Sequence, residues 1–154
     1  MRSVRRGLTA VGVGGLLLVA CGGPAEVEPE AAGPQPDADL VASPCTAHED
    51  RELEAFLDLV APVDGQAAGQ EVEIVGCSNV PEATVNWRLL DEDGGLLDEG
   101  FTTAECGTGC VGAFRDTVSL AVAAGEPAVA LEVFWISPQD GAHEDLQERT
   151  IALG

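Results

Sequence analysis

The sequence predicts an all-β domain, an antiparallel sandwich of about seven strands, preceded by a signal peptide and a disordered tether. Three observations carry this prediction. Segments that alternate apolar and polar side chains with period two recur beyond residue 56, as at residues 71–75. Clusters of Gly, Pro and Asp separate these segments at intervals of about 12–16 residues. A hydrophobic content of 45% allows a core, and 154 residues suffice for about one globular domain.

Residues 1–20 have the pattern of a secretory signal peptide. Three arginines within residues 2–6 precede an uncharged apolar run over residues 8–20. That run is shorter than the roughly 20 residues that span a bilayer. It ends in Leu-Val-Ala before Cys21, which resembles the lipobox of bacterial lipoproteins, whose cysteine receives a diacylglycerol. We therefore expect a lipoprotein. A lipid on Cys21 would anchor the chain on the extracytoplasmic face of the cell membrane. Ordinary secretion is the alternative, and general and twin-arginine export both remain open.

The charge of the chain restricts its partners. Its 27 acidic residues face 7 basic ones, which gives a formal net charge of −20, and it contains no lysine. Nucleic-acid binding needs clusters of Lys and Arg, so the composition excludes it. Electrostatic adhesion to anionic lipid is excluded for the same reason. Membrane residence should therefore depend on the covalent lipid.

Residues 21–47 form the predicted tether, because prolines alternate there with acidic residues. Such a stretch buries too little apolar area to offset the entropy of ordering, and charge repulsion extends it. The folded domain is predicted for residues 48–154. Its first part is ambiguous, since Leu53, Phe56, Leu57 and Val60 have helical spacing while residues 56–60 also suit a strand. We expect a helical turn near residues 48–54 and a strand after it.

The remaining segments have the pattern of β-strands. Val85, Trp87 and Leu89 share one face of their segment, and Trp87 is expected to fill the core. Residues 91–95 contain an acidic turn with two glycines, typical of a hairpin. The predicted strands cover residues 56–60, 71–75, 84–89, 96–104, 113–120, 128–136 and 146–153.

Four segments in these strands resemble a known family. The first two are Val72-x-Ile74-Val75-Gly76 and Ala83-Thr84-Val85-x-Trp87-Arg88-Leu89-x-Asp91. The other two cover residues 95–104 and 131–141. Their order and spacing are similar to the immunoglobulin-like domain associated with bacterial spore germination, which is often found beside a GerM domain. The resemblance covers about residues 56–153. It implies an immunoglobulin-like β-sandwich at the cell surface and no established catalytic residues.

Four cysteines follow Cys21, at Cys45, Cys77, Cys106 and Cys110. An even number in an exported chain indicates two disulfides, with three possible connectivities. If consecutive strands alternate in direction, all four cysteines lie at one end of the sandwich. We favour Cys106–Cys110 together with Cys45–Cys77, a pair that would attach the tether to the domain.

Metal binding and catalysis are the weaker hypotheses. His48 and His143 each lie in an Ala-His-Glu-Asp tetrapeptide and are the candidates for a zinc site near the cysteines. Cys-x₃-Cys is looser than the usual zinc spacing, so we predict no metal and no cofactor. The chain has no Cys-x-x-Cys and no basic residue beside Cys106 or Cys110 that would lower a thiol pKa. It also has no Gly-x-Ser-x-Gly, and an enzyme is not predicted.

Residues 128–136 are apolar on both faces, which is typical of a central strand. Either Trp135 is buried or Phe134 and Ile136 are, unless a bulge intervenes. An exposed strip of Phe134, Trp135 and Ile136 is the candidate partner surface.

The sequence thus favours a lipid-anchored extracytoplasmic module that binds or scaffolds an envelope protein or cell-wall component. The family resemblance points to spore germination or cell-surface assembly as its setting. The alternatives are a metal-binding or redox surface protein, and a small solute-binding lipoprotein.

Overall fold

The computed structural model describes residues 33–154 and arranges them as two β-sheets with a shared core. The three-stranded sheet has the order β1-β3-β6, and the five-stranded sheet has the order β2-β8-β7-β4-β5. The signal peptide, Cys21 and residues 22–32 of the predicted tether lie outside the described residues. The elements are α1 Ala38–Ala42, β1 Phe56–Ala61, β2 Gln66–Ala68, β3 Glu71–Asn79, β4 Thr84–Leu90, β5 Leu96–Thr103, β6 Gly112–Ser119, β7 Ala128–Ile136 and β8 His143–Leu153.

The predicted all-β sandwich is confirmed, and each of the seven predicted strands is present. The additional strand is β2, whose three residues pair in parallel with Ile151–Leu153 of β8. All other neighbouring strands are antiparallel. Three residues are too few to show an alternating pattern, so local periodicity does not predict β2.

The core lies between the two sheets. Ile74 of the smaller sheet and Leu89 and Leu131 of the larger one are fully buried there. Trp87 packs against this core, as expected, and its indole Nε1 donates a hydrogen bond to Asp116 Oδ2 at 3.3 Å. The indole therefore fills the space between β4 and the edge strand β6 while its polar atom keeps a partner.

Side chains of β8 close the sandwich along the free edge of β1. Gln147 Nε2 donates to the carbonyl oxygen of Leu57 at 2.8 Å, and Asp145 Oδ2 accepts from the amide of Leu57 at 3.2 Å. Arg149 donates to the carbonyl oxygen of Leu59 at 3.4 Å. An unpaired strand edge is a site for unwanted pairing with another chain. Because these side chains bind the edge groups of β1, this edge is satisfied within the domain.

The helical turn expected near residues 48–54 is not a helix. The amides of His48, Arg51 and Glu54 donate to the carbonyl oxygens three residues earlier, at 2.9, 3.0 and 3.1 Å. These turns follow one another without merging into a helix. The helical spacing of Phe56, Leu57 and Val60 instead belongs to β1, where Phe56 and Leu57 are buried on opposite faces of the strand.

The described part of the predicted tether packs against the domain. Helix α1 begins after Asp37, whose carboxylate accepts from the amides of residues 39 and 40. Pro44 is buried, and Arg115 of β6 donates to the carbonyl oxygen of Val41 at 2.8 Å. We call residues 33–55 the strap, because they cover the outer face of the three-stranded sheet. Composition alone did not predict this packing, since it depends on specific partners and a covalent tie to the sheet.

The strap begins at one end of the sandwich and finishes at the other. A Cβ placed on Gly33 would lie 3.6 Å from the carbonyl oxygen of Gly65, beside the short strand β2. We call this the β2 end; it includes residues 62–70 and 120–127. At the opposite end lie residues 104–111 and the turn at residues 137–142.

Candidate functional site

Both disulfides are formed, with the pairing favoured from the sequence. Cys45 and Cys77 have Cα atoms 5.1 Å apart, and their bond ties the strap to β3. Cys106 and Cys110 have Cα atoms 6.0 Å apart and close the loop between β5 and β6. The surface between the two bonds is lined by Cys45 on one side and by residues 105 and 111 on the other. Both bonds therefore lie towards the same end, which we call the disulfide end.

Asn79 connects the elements of the disulfide end. Its side chain is buried, and its Nδ2 donates to the carbonyl oxygens of Glu52 at 2.8 Å and Glu54 at 2.9 Å. Its Oδ1 accepts from the amide of Gly109, inside the Cys106–Cys110 loop, at 3.0 Å. Buried amides are stabilising only when both ends are bonded, so Asn79 fixes the strap and the loop against β3.

The two histidines lie beside different sheets of the sandwich and do not contact each other. His48 Nε2 lies 2.8 Å from Asp58 Oδ2, on the strap side of the three-stranded sheet. The ring of His143 stacks on Phe134 at 4.0 Å between centroids, on the outer face of the five-stranded sheet. Among residues 33–154, no group of three or more His, Cys, Asp or Glu side chains is placed to hold a metal ion. The idea of a shared zinc site for His48 and His143 therefore has no geometric support.

The predicted strip of Phe134, Trp135 and Ile136 is not one surface. The pairing of β7 with β8 shifts register between Val133 and Trp135. Trp135 packs against the core and donates from Nε1 to Asp145 Oδ2 at 3.1 Å. Phe134 and Ile136 lie on the opposite, outer face, where Phe134 is buried and Ile136 is 44% exposed. Each face of β7 is therefore partly covered, as its apolar residues on both faces indicate. Trp135 does not belong to the candidate partner surface.

A different aromatic residue completes the outer face. Phe101 of β5 and Phe134 of β7 both pair with Asn86 of β4, so the three side chains form one row across the sheet. Phe101 is 68% exposed. We call Phe101, Phe134 and Ile136 the outer patch. It places two exposed apolar side chains beside one buried ring, near the disulfide end.

An ion pair lies in the next row of the sheet. Arg88 of β4 pairs in register with Glu99 of β5 and with Glu132 of β7. Its Nε donates to the carboxylate of Glu132, which is buried, and its guanidinium lies 5.5 Å from the ring centroid of Phe134. This ion pair neutralises the positive charge of Arg88 within the sheet. Glu99 is exposed, and no basic group of residues 33–154 lies within 4 Å of it.

Two shallow hollows border the outer patch. One is lined by Arg88, Glu99 and His143 together with Phe101. The other runs towards the disulfide end and is lined by Glu82, Thr108 and Pro138. Asn86 and Ile136 line both hollows, so they form one continuous surface. This surface has an apolar middle and a carboxylate towards each end.

The turn at residues 137–142 forms one rim of this surface. Hydrogen bonds from the Ser137 side chain and from the backbone amide of Ala142 hold the pKa of Asp140 below its ordinary value. Asp140 therefore stays ionised in mildly acidic solution, and it adds a negative charge to the rim.

No helix among residues 33–154 is both long and apolar enough to cross a membrane.

A family model matches residues 56–142 of this chain, and its description is the immunoglobulin-like domain of bacterial spore germination. The match spans β1 to β7 and includes the whole outer patch. The chain belongs to this family. This match confirms the resemblance that the strand segments showed to the spore-germination immunoglobulin-like family. The predicted immunoglobulin-like sandwich is confirmed as well.

The chain also has likenesses among solved structures. The crystal structure of CopC from Methylosinus trichosporium OB3b aligns with 65% of this chain and 93% of that chain, at 17% identity and a TM-score of 0.40. These values are too low to carry an argument about function. None of the curated proteins matches the sequence of this chain.

Sequence reasoning missed Phe101. It stands between Gly100 and Thr102, and its same-face neighbours within β5 are Glu99 and Thr103, so the segment has the pattern of a solvated strand face. Only the pairing with β4 shows that it lies beside Phe134. One signal was available in the sequence: an aromatic side chain on the polar face of a strand, where solvent alone does not favour it.

Proposed function

We propose that this chain is a lipid-anchored, extracytoplasmic immunoglobulin-like module that binds or scaffolds a component of the cell envelope and does not catalyse a reaction. The observation that carries the proposal is the outer patch. Phe101 and Ile136 are 68% and 44% exposed on one sheet face. Exposed apolar groups with a polar rim are typical of surfaces that contact a partner.

The chemistry around the outer patch supports docking. Its basic side chain, Arg88, is already bound to Glu132, and the ring of His143 is stacked on Phe134. Groups held by such contacts shape a fixed surface against which a partner can dock. Membership of the spore-germination family supports a role in germination or in cell-surface assembly.

The anchoring part of the proposal rests on residues 1–20 and Cys21. We expect Cys21→Ser to move the protein from the membrane fraction to the soluble fraction, because acyl chains supply the membrane affinity of a strongly acidic chain. Cell fractionation and incorporation of an alkyne-labelled fatty acid measure this. Ser43→Ala, which leaves the lipobox intact, is the control. A wild-type protein that takes up no label would contradict the anchor.

The binding part is tested on the outer patch. We expect the double variant Phe101→Ser, Ile136→Ser to capture its envelope partner at least about 10-fold less than wild type, because loss of two apolar contacts removes more than about 1.4 kcal/mol. Pull-down from envelope extract with quantitative mass spectrometry measures this.

The matched control is Val122→Ser, which removes a side chain that is 50% exposed at the β2 end. Circular dichroism should show that all variants remain folded. Equal capture by wild type and by the double variant would refute the outer patch as the binding surface.

A further inference from the structure

Three of the four arginines of residues 33–154 are paired with carboxylates. Arg51 pairs with Glu54, Arg88 with Glu132, and Arg115 with Glu73. The fourth arginine of residues 33–154, Arg149, binds backbone and amide oxygens beside β1. The chain as a whole has 27 acidic residues against 7 basic ones. A partner that is electrostatically complementary to this surface must therefore be cationic.

The carboxylates nearest the outer patch lie on opposite sides of it. Glu99 lines the hollow on the side of the Arg88 row, and Glu82 lines the hollow on the side of the disulfide end. Both are exposed, and neither has a basic group of residues 33–154 within 4 Å. Asn86 lies between them, and its side-chain amide supplies both a donor and an acceptor for the main chain of a bound segment.

Addition of a strand at the edge of β5 is a less suitable mode of binding. Asp98 pairs in register with the buried Leu89, which places the carboxylate on the inner side of this edge strand. A charge that points inwards from an edge strand disfavours pairing with another strand. A partner segment is therefore expected to lie across the sheet face, over the row of Phe101, Asn86 and Phe134.

We infer that the outer patch binds a basic, extended segment of a protein partner. An apolar side chain of that segment contacts Phe101 and Ile136, and its Lys or Arg side chains reach Glu82 and Glu99. This inference rests on the proposed function and adds the class of partner to it. Anionic cell-wall polymers are disfavoured, because the carboxylates of the rim repel them.

The test uses the full chain, purified in mild detergent, and three probes. These are a ten-residue peptide of alternating Lys and Phe, its counterpart of alternating Glu and Phe, and an N-acetylglucosamine oligomer. Fluorescence anisotropy gives the affinity for the labelled probes at low and high salt. We expect the Lys–Phe peptide to bind at least about 10-fold more tightly than the other two at low salt, with the difference shrinking as salt rises.

Two matched double variants separate a specific site from general attraction. Glu82→Gln with Glu99→Gln should weaken binding of the Lys–Phe peptide about 3–10-fold, because each exposed ion pair contributes only modestly to affinity. Glu71→Gln with Glu126→Gln removes the same charge near the β2 end and should change the affinity less than about 2-fold. Equal weakening by both pairs would overturn the inference.

The probes also distinguish failure of the inference from failure of the proposed function. If the Glu–Phe peptide or the oligomer binds as tightly as the Lys–Phe peptide and Phe101→Ser weakens it, the outer patch binds a partner of another class. If Phe101→Ser changes neither probe binding nor capture from envelope extract, both the inference and the proposed function are wrong.

Discussion

Replacement of Gly76 by alanine is expected to lower the free energy of unfolding by about 2–3 kcal/mol. Gly76 lies in the middle of β3, between β1 and β6, and is buried. A Cβ at this position would lie against the carbonyl oxygen of Asp58 on one side and 2.6 Å from Cε1 of Phe114 on the other. Neither neighbour yields easily, because one is paired backbone and the other is a fully buried ring.

Urea denaturation followed by tryptophan fluorescence measures this effect. Gly69→Ala is the matched control, since a Cβ at Gly69 meets nothing within 4 Å. We expect that control to change stability by less than about 0.5 kcal/mol. If Gly76→Ala were no more destabilising than Gly69→Ala, the close packing of Phe114 over β3 would be refuted.

Removal of the Cys45–Cys77 bond is expected to lower the free energy of unfolding by about 3–4 kcal/mol. The two cysteines are 32 positions apart, so the bond restricts a large loop of the unfolded chain. Cys77 is fully buried beneath the strap, and the bond is the covalent link between the strap and β3. The double variant Cys45→Ala, Cys77→Ala tests this in denaturation experiments without reductant.

The second disulfide provides an internal comparison. Cys106 and Cys110 are 4 positions apart, so their removal should cost only about 2 kcal/mol by the same loop-closure argument. Hydrogen exchange should show loss of protection in residues 38–55 only when Cys45–Cys77 is removed. An equal loss of stability in the two double variants would contradict the larger contribution expected of the Cys45–Cys77 bond.

Local sequence patterns predicted the strands well where both faces had a clear character. The bounds predicted for β7, residues 128–136, are those of the structure, because an apolar run interrupted only by Glu132 identifies a covered strand. The turn at residues 91–95 also followed from its residues, since Asp91 accepts from the amides of Asp93 and Gly95. Such features depend on neighbours along the chain.

The features that sequence reasoning missed depend on neighbours across the fold. Packing of the strap depends on Cys77, Asn79 and Arg115, all of which are distant from it in sequence. The face occupied by Trp135 depends on a register shift against β8. Phe101 became part of a candidate site only when β4 placed it beside Phe134. In each case the deciding contact joins segments that no local pattern connects.

The course of the strap determines at which end of the domain the proposed lipid anchor would be connected. A lipid on Cys21 would be followed by residues 22–32, which can span at most roughly 40 Å before Gly33. Gly33 lies at the β2 end, whereas Ile136 and the Cys106–Cys110 loop lie at the other end. A lipid on Cys21 would therefore be connected to the domain at its β2 end, opposite the end near which the outer patch lies. Under the proposed anchor at Cys21, a partner would reach the outer patch at the end of the domain that lies away from the attachment point.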